Sequence, residues 1–176
     1  MVRISGRAFE GLSAAVARRP PCDLYHSALE VVVPEGRHVI EVAPIPATGD
    51  DRGVVAEGAV GSRLLGRLRI FRYEVRCWPG GAIPDASAAV DSPVRVLDDL
   101  DAARRVLDLT REVPTVVWGR HELARGDMWN SNSVTSWLLT RAGVDIDAVH
   151  LPPGGRAPGW DAGVAVARGV SGAAPR

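Results

Sequence analysis

The chain has 176 residues, 46% of them hydrophobic and 24% charged, which suits one domain of ordinary size and is too short for two comfortable ones. Its 21 basic and 21 acidic side chains cancel, which argues against a broad electrostatic footprint for nucleic acid or an anionic membrane surface. All the basic residues are Arg and none is Lys, so a lysine Schiff base, a P-loop lysine and a kinase-type lysine are excluded.

A lead-in segment is expected over 1–21, a folded core over 22–167 and a disordered tail over 168–176. Within the lead-in, Phe9 to Ala17 reads as a short helix that Arg19-Pro20-Pro21 stops, because proline removes a donor and fixes its own φ. Arg3, Arg7, Arg18 and Arg19 flank no apolar stretch long enough for a signal peptide, and no stretch elsewhere reaches membrane-span length. The expectation is a soluble, cytoplasmic protein with no membrane span.

Leu24 to Val33 and His38 to Ile45 are rich in Val and Ile and flank Pro34-Glu35-Gly36-Arg37, which together predict a β-hairpin. Val54 to Ala56 reads as a short edge strand before a connection broken by Gly58, Gly61 and Gly66. Leu68 to Trp78 is a third strand candidate, with adjacent apolar Ile70 and Phe71 suggesting a bulge or burial on both faces. Asp91-Ser92-Pro93 resembles a helix start, and the spacing of Val96, Leu97, Leu100, Ala103, Val106, Leu107 and Leu109 predicts an amphipathic helix ending before Pro114. Asn130 to Ser133 offers a run of cap residues ahead of a second helix over Val134 to Ala142, which Gly143 stops. A Gly and Pro loop over Leu151 to Gly159 leads to Val164 to Ala167 as a last strand. Strands followed by helices give an α+β fold, an antiparallel sheet with packed helices.

Two places hold residues that can do chemistry. His26 and His38 fall on the two arms of the predicted hairpin, with strand twist or a third strand needed to close a register offset of several residues. Further along, Trp129-Asn130-Ser131-Asn132 opens a predicted helix, where unpaired N–H groups and the positive end of the helix dipole can support a reacting hydroxyl or an oxyanion. Each also has an ordinary structural reading: an exposed sheet face for His26, and a plain helix cap for Asn130 and Ser131.

Taken in order, a histidine on one strand, a second on the next and a downstream Asn-nucleophile dipeptide resemble the permuted papain-like hydrolases of the lecithin retinol acyltransferase and NlpC type. The resemblance spans Tyr25 to Thr140. It implies a permuted papain-like architecture in which His26 is the general base, His38 orients it and Ser131 is the nucleophile. That family has cysteine where this chain has Ser131. A thiol can be poised as thiolate beside an imidazolium, whereas a serine hydroxyl must lose its proton during attack. The implied activity is that of a hydrolase or acyltransferase acting on an amide, ester or thioester of a small-molecule, peptide or acyl substrate. The competing reading is an inactive binding or protein-interaction domain that has lost its thiol.

Asn130, Asn132, Trp129, Arg156 and Trp160 are the candidate substrate contacts, with Arg156 suited to a carboxylate or phosphate and Trp160 to an apolar wall. Backbone donors near Asn132 are the expected oxyanion hole. Cys22 and Cys77 cannot form a disulfide framework and are read as free thiols. His121 and His150 make no metal-ligand spacing with each other or with the cysteines, so no metal and no cofactor is expected. The glycines at 58, 61 and 66 match no dinucleotide fingerprint, and Arg69, Arg72 and Arg76 read as a solvated strand face rather than a nucleic-acid stripe.

Overall fold

A computed structural model of the chain describes residues 22–45, 53–83, 86–90, 92–120 and 127–169. The expected lead-in helix over Phe9 to Ala17 and most of the expected tail lie outside these residues, as does His121.

The hairpin forms where the sequence places it, with narrower strands: β2 spans Leu29–Val33 and β3 spans Gly36–Pro44. Pro34 presets one turn angle, and Gly36, at φ 139, supplies a conformation that side chains resist. In β2, Leu29, Val31 and Val33 face inward while Glu30 and Val32 face out, the alternation of a half-buried strand. Strand β5, Arg72–Pro79, pairs antiparallel with β3, and β4, Val54–Ala59, covers the other side of β5. The sheet order is β2-β3-β5-β4, so β2 and β4 are its edges. The expected third strand begins later than Leu68 because Leu65–Arg67 and Arg69–Phe71 coil into two 3-10 turns.

One face of this sheet carries Val31, Val33, Ile40, Val42, Tyr73 and Val75, which form the core with the helices. Gly58 sits opposite Tyr73, and a Cβ there would overlap the phenol ring. The other face carries a buried charged cluster in which the Arg76 guanidinium meets Glu41 at 3.2 Å and Glu74 at 2.7 Å. Arg76 belongs to that cluster and is 3% exposed, so the expectation that it lies on a solvated face is wrong.

Helix α1 spans Leu100–Leu109 and starts later than Asp91-Ser92-Pro93 suggests. Its cap is Asp99, whose carboxylate accepts the Ala102 N–H at 3.0 Å. Helix α2, Ser131–Ala142, is buried along most of its length between α1, the sheet and α3. Gly143 closes it in the left-handed conformation, and Arg105 of α1 donates to the Ala142 carbonyl at 3.2 Å. Helix α3 spans Trp160–Ala167, so the expected last strand over Val164 to Ala167 is helical. Gly163 explains the close packing there: a Cβ would strike the Ser133 carbonyl and the Ser136 hydroxyl. A separate two-stranded parallel sheet joins β1, Asp23–Leu24, to β6, Gly155–Arg156. The fold is α+β around an antiparallel sheet. Among the described residues no helix is long and apolar enough to cross a membrane.

Candidate active site

The N-terminus of α2 is closed by its own cap and by the loop that precedes α3. Asn130 is its cap residue, and the Asn130 side chain accepts the N–H groups of Asn132 and Ser133 while the Ser133 hydroxyl accepts the Asn130 N–H, a reciprocal capping box. The Asn130 amide also donates to the Pro158 carbonyl at 2.8 Å. Ser133 donates onward to the Gly159 carbonyl at 2.7 Å, and the Asp127 carboxylate accepts the Gly159 N–H. The loop ahead of α3 is therefore tied to the first turn of α2.

Asn132 ties down a second loop. Its amide donates to the carbonyls of Tyr25 and Pro158, each at 2.9 Å, and its oxygen accepts the Ser27 hydroxyl at 2.9 Å. The β1–β6 ladder extends this anchor, with the Tyr25 N–H bonded to the Arg156 carbonyl at 2.8 Å. Tyr25 and Ser27 are thus both fixed, and His26 between them is held over the start of α2. The His26 Nδ1 lies 2.6 Å from the Ser131 hydroxyl, well within hydrogen-bond range. Ser131 is 4% exposed, whereas His26 is exposed.

His38 does not join this pair. It faces Val31 across the hairpin and Pro79 across β5. Leu29 faces Ile40, so extending the register would bring His26 level with Ala43 rather than with His38. His26 is itself in the loop before β2, not on a strand. The five-residue offset between His26 and Val31 corresponds to roughly 16 Å of extended chain, which strand twist does not close. The His38 Nδ1 is buried with no hydrogen-bond partner and borders a separate groove with Cys77 and Thr110. Among the described residues the Nε2 of His26 has no hydrogen-bond partner, so the arrangement is a Ser-His dyad.

The expected substrate contacts divide sharply. Asn130 and Asn132 spend their side chains on the scaffold. Trp129 is 1% exposed and belongs to the core with Trp137, while Trp118 and Trp160 pack against that core. Arg156 and Trp160 line a cavity of about 260 Å³, together with Asp127, Leu151 and Pro158, and neither His26 nor Ser131 is part of that lining. The Asn132 N–H is already taken by Asn130, as is that of Ser133, so the expected oxyanion donors near Asn132 are occupied. The cap leaves the Ser131 N–H as the first-turn donor nearest the Ser131 hydroxyl.

Neither cysteine replaces Ser131. Cys77 lies opposite Ile40 in β5, where burial pushes its thiol pKa up, the opposite of activation. Cys22 precedes β1 and is half-buried. Among the described residues no group of three His, Cys, Asp or Glu side chains converges as a metal site. Pro158 and Gly159 fall in the Gly and Pro loop that the sequence marks, whereas nothing in the sequence singles out Ser27 or Asp127. Asp127, Pro158 and Gly159 act through backbone or capping bonds, which leave no residue pattern, and the signal for Ser27 is no more than its place beside His26.

No family model matches the chain, and neither a curated protein nor a solved structure matches it.

Proposed function

We propose that the chain is a serine-dependent hydrolase or acyltransferase of permuted papain-like type, acting on an amide, ester or thioester. The observation that carries the reading is the 2.6 Å contact between the His26 Nδ1 and the Ser131 hydroxyl at the start of a buried helix. The resemblance over Tyr25 to Thr140 supports it, because His26 and Ser131 hold the family's base and nucleophile positions.

In this mechanism Nδ1 takes the proton from Ser131 as its oxygen attacks the substrate carbonyl carbon. The carbonyl π pair moves onto oxygen, where the Ser131 N–H and the positive end of α2 stabilise it. Collapse of the intermediate breaks the bond to the leaving group, which receives the proton from Nδ1. His26 then deprotonates water or an acceptor nucleophile, which attacks the acyl-Ser131 ester and releases the serine.

A second reading follows from the 4% exposure of Ser131 and the absence, among the described residues, of a third residue on His26. In it the contact only fastens the 25–28 loop to α2, and the domain binds a partner without turnover. Intact-mass analysis after fluorophosphonate treatment separates the two. The enzyme reading expects one phosphonyl adduct on Ser131, with loss of fluoride, and no adduct on Ser131→Ala or His26→Ala. Folded wild-type protein that takes no adduct from fluorophosphonate or from activated esters would sink it and leave the binding domain.

A further inference from the structure

The segment joining β4 to β5 exposes a run of large aliphatic side chains, and it is also basic. Leu64, Leu65, Leu68 and Ile70 are 72%, 43%, 56% and 80% exposed. Arg67 and Arg69 stand among them, also exposed, and no acidic residue occurs between Gly58 and Arg72. Arg72 itself is paired with Glu57 at 2.7 Å. Arg120 reaches in from another segment to donate to the Gly61 carbonyl, adding a further exposed cation at the base.

This exposure is held by local structure. The Ser62 hydroxyl accepts the Leu64 N–H at 3.2 Å, the Gly66 N–H bonds the Ser62 carbonyl at 3.1 Å, and the two 3-10 turns close through Leu68 to Leu65 and Phe71 to Leu68, each at 2.9 Å. Gly66 packs against Ala59 so closely that a Cβ would collide with it, which pins the turns to the end of β4. These bonds hold the turns while the aliphatic side chains project outward, an arrangement that costs hydration free energy in water.

We propose that this segment is a docking surface for an anionic lipid bilayer, into whose interface Leu64, Leu65, Leu68 and Ile70 insert while the arginines meet headgroup phosphates. Charge complementarity selects this occupant. Apolar and cationic residues alternate every one or two positions, so a protein partner would need acidic groups interleaved among apolar ones in matching geometry. A fluid anionic surface supplies both without a fixed pattern, and arginine stems can lie along the acyl boundary with their heads in the phosphate layer. The zero net charge of the whole chain conceals this local excess. By strand register the segment lies at the same end of the sheet as the loop bearing His26, because Ala59 faces Arg72, Pro44 faces Tyr73 and β2 starts at that end. The docking surface stands whether or not Ser131 is a nucleophile.

Co-sedimentation tests it, using phosphatidylcholine vesicles with and without phosphatidylglycerol. Wild type is expected to partition onto the mixed vesicles and not onto phosphatidylcholine alone, and to release as salt rises from about 0.1 M to about 1 M. Arg67→Gln with Arg69→Gln should weaken partitioning about thirtyfold. Replacing Leu64, Leu65, Leu68 and Ile70 by Ser should abolish it, with thermal unfolding unchanged because all four are exposed. Failure of wild type to bind the mixed vesicles would overturn the proposal, as would binding that neither variant reduces. So would a concentration-dependent dimer in analytical ultracentrifugation that the four serines dissolve, since the surface would then belong to a second copy of the chain.

Discussion

The reach of a single side chain decides most of the chemistry at Ser131. Its hydroxyl touches one ring nitrogen, and His26 is held through its neighbours, by the Tyr25 carbonyl and the Ser27 hydroxyl that Asn132 bonds, rather than by a third side chain among the described residues. Asn132 is therefore the positioning residue of the site. Ser131→Cys offers a direct readout of the environment. A thiol set beside His26 at the helix N-terminus is expected to titrate below the unperturbed value of about 8.5, seen in iodoacetamide rates measured against pH. A rate profile matching that of a free cysteine would show that His26 and the helix do not activate the position. His38→Ala, by contrast, should leave both this profile and fluorophosphonate labelling of wild-type Ser131 unchanged, because His38 lies opposite Val31 and Pro79. The sequence puts His26 and His38 on the two arms of one hairpin, several residues out of register, with strand twist or a third strand needed to join them. Facing positions depend on where the turn falls, and a turn at Pro34-Glu35 pairs His38 with Val31 instead.

At the scale of elements, strong local signals read correctly and short apolar runs did not. The hairpin was legible because Val-rich arms flank a Pro and Gly turn, and α2 was legible because Asn130 and Gly143 punctuate its two ends. Val164 to Ala167 was read as a strand because four small and β-branched residues alternate, a run too short for periodicity to separate strand from buried helix. Tertiary packing decided it through Gly163, which lets α3 approach Ser133 and Ser136. The helix start was also misplaced among the four cap candidates: Asn130 caps, and Ser131 is the first residue of the helix. Asn130→Ala should therefore cost about 0.5 to 2 kcal/mol for the cap alone, with the lost Pro158 bond adding to it, whereas Ser131→Ala should cost less. Chemical denaturation of the two variants checks the order; a larger loss at Ser131 would mean that the cap does not govern this helix.

For the whole molecule, the absence of lysine opens a pH window that most proteins fill. Arginine stays charged far above pH 12 and lysine would titrate near 10.4, so alkaline stability here rests on tyrosine and cysteine. Tyr73 is central to the assembly: it lies in β5, packs on Trp118 with ring centroids 5.4 Å apart, and donates its hydroxyl to the Val116 carbonyl at 2.8 Å. Burial pushes its pKa from 10.0 up to about 12, with the neighbouring Trp129 indole opposing part of that rise. The folded state thus holds the phenol proton more tightly than the unfolded chain. The stability due to the neutral phenol is complete below pH 10 and is lost as pH rises through 12, by about 2 to 3 kcal/mol in all. The raised Cys77 pKa has the same sign and acts earlier, above its ordinary value of 9.0. Urea midpoints measured from pH 8 to beyond pH 12 should fall most steeply between 10 and 12. Tyr73→Phe should begin lower at pH 8, by about 0.5 to 1.5 kcal/mol for the lost hydrogen bond, and then decline less across that interval. A Tyr73→Phe curve parallel to wild type through pH 12 would show that the phenol is not the group whose ionisation loosens the sheet from the 116–118 segment.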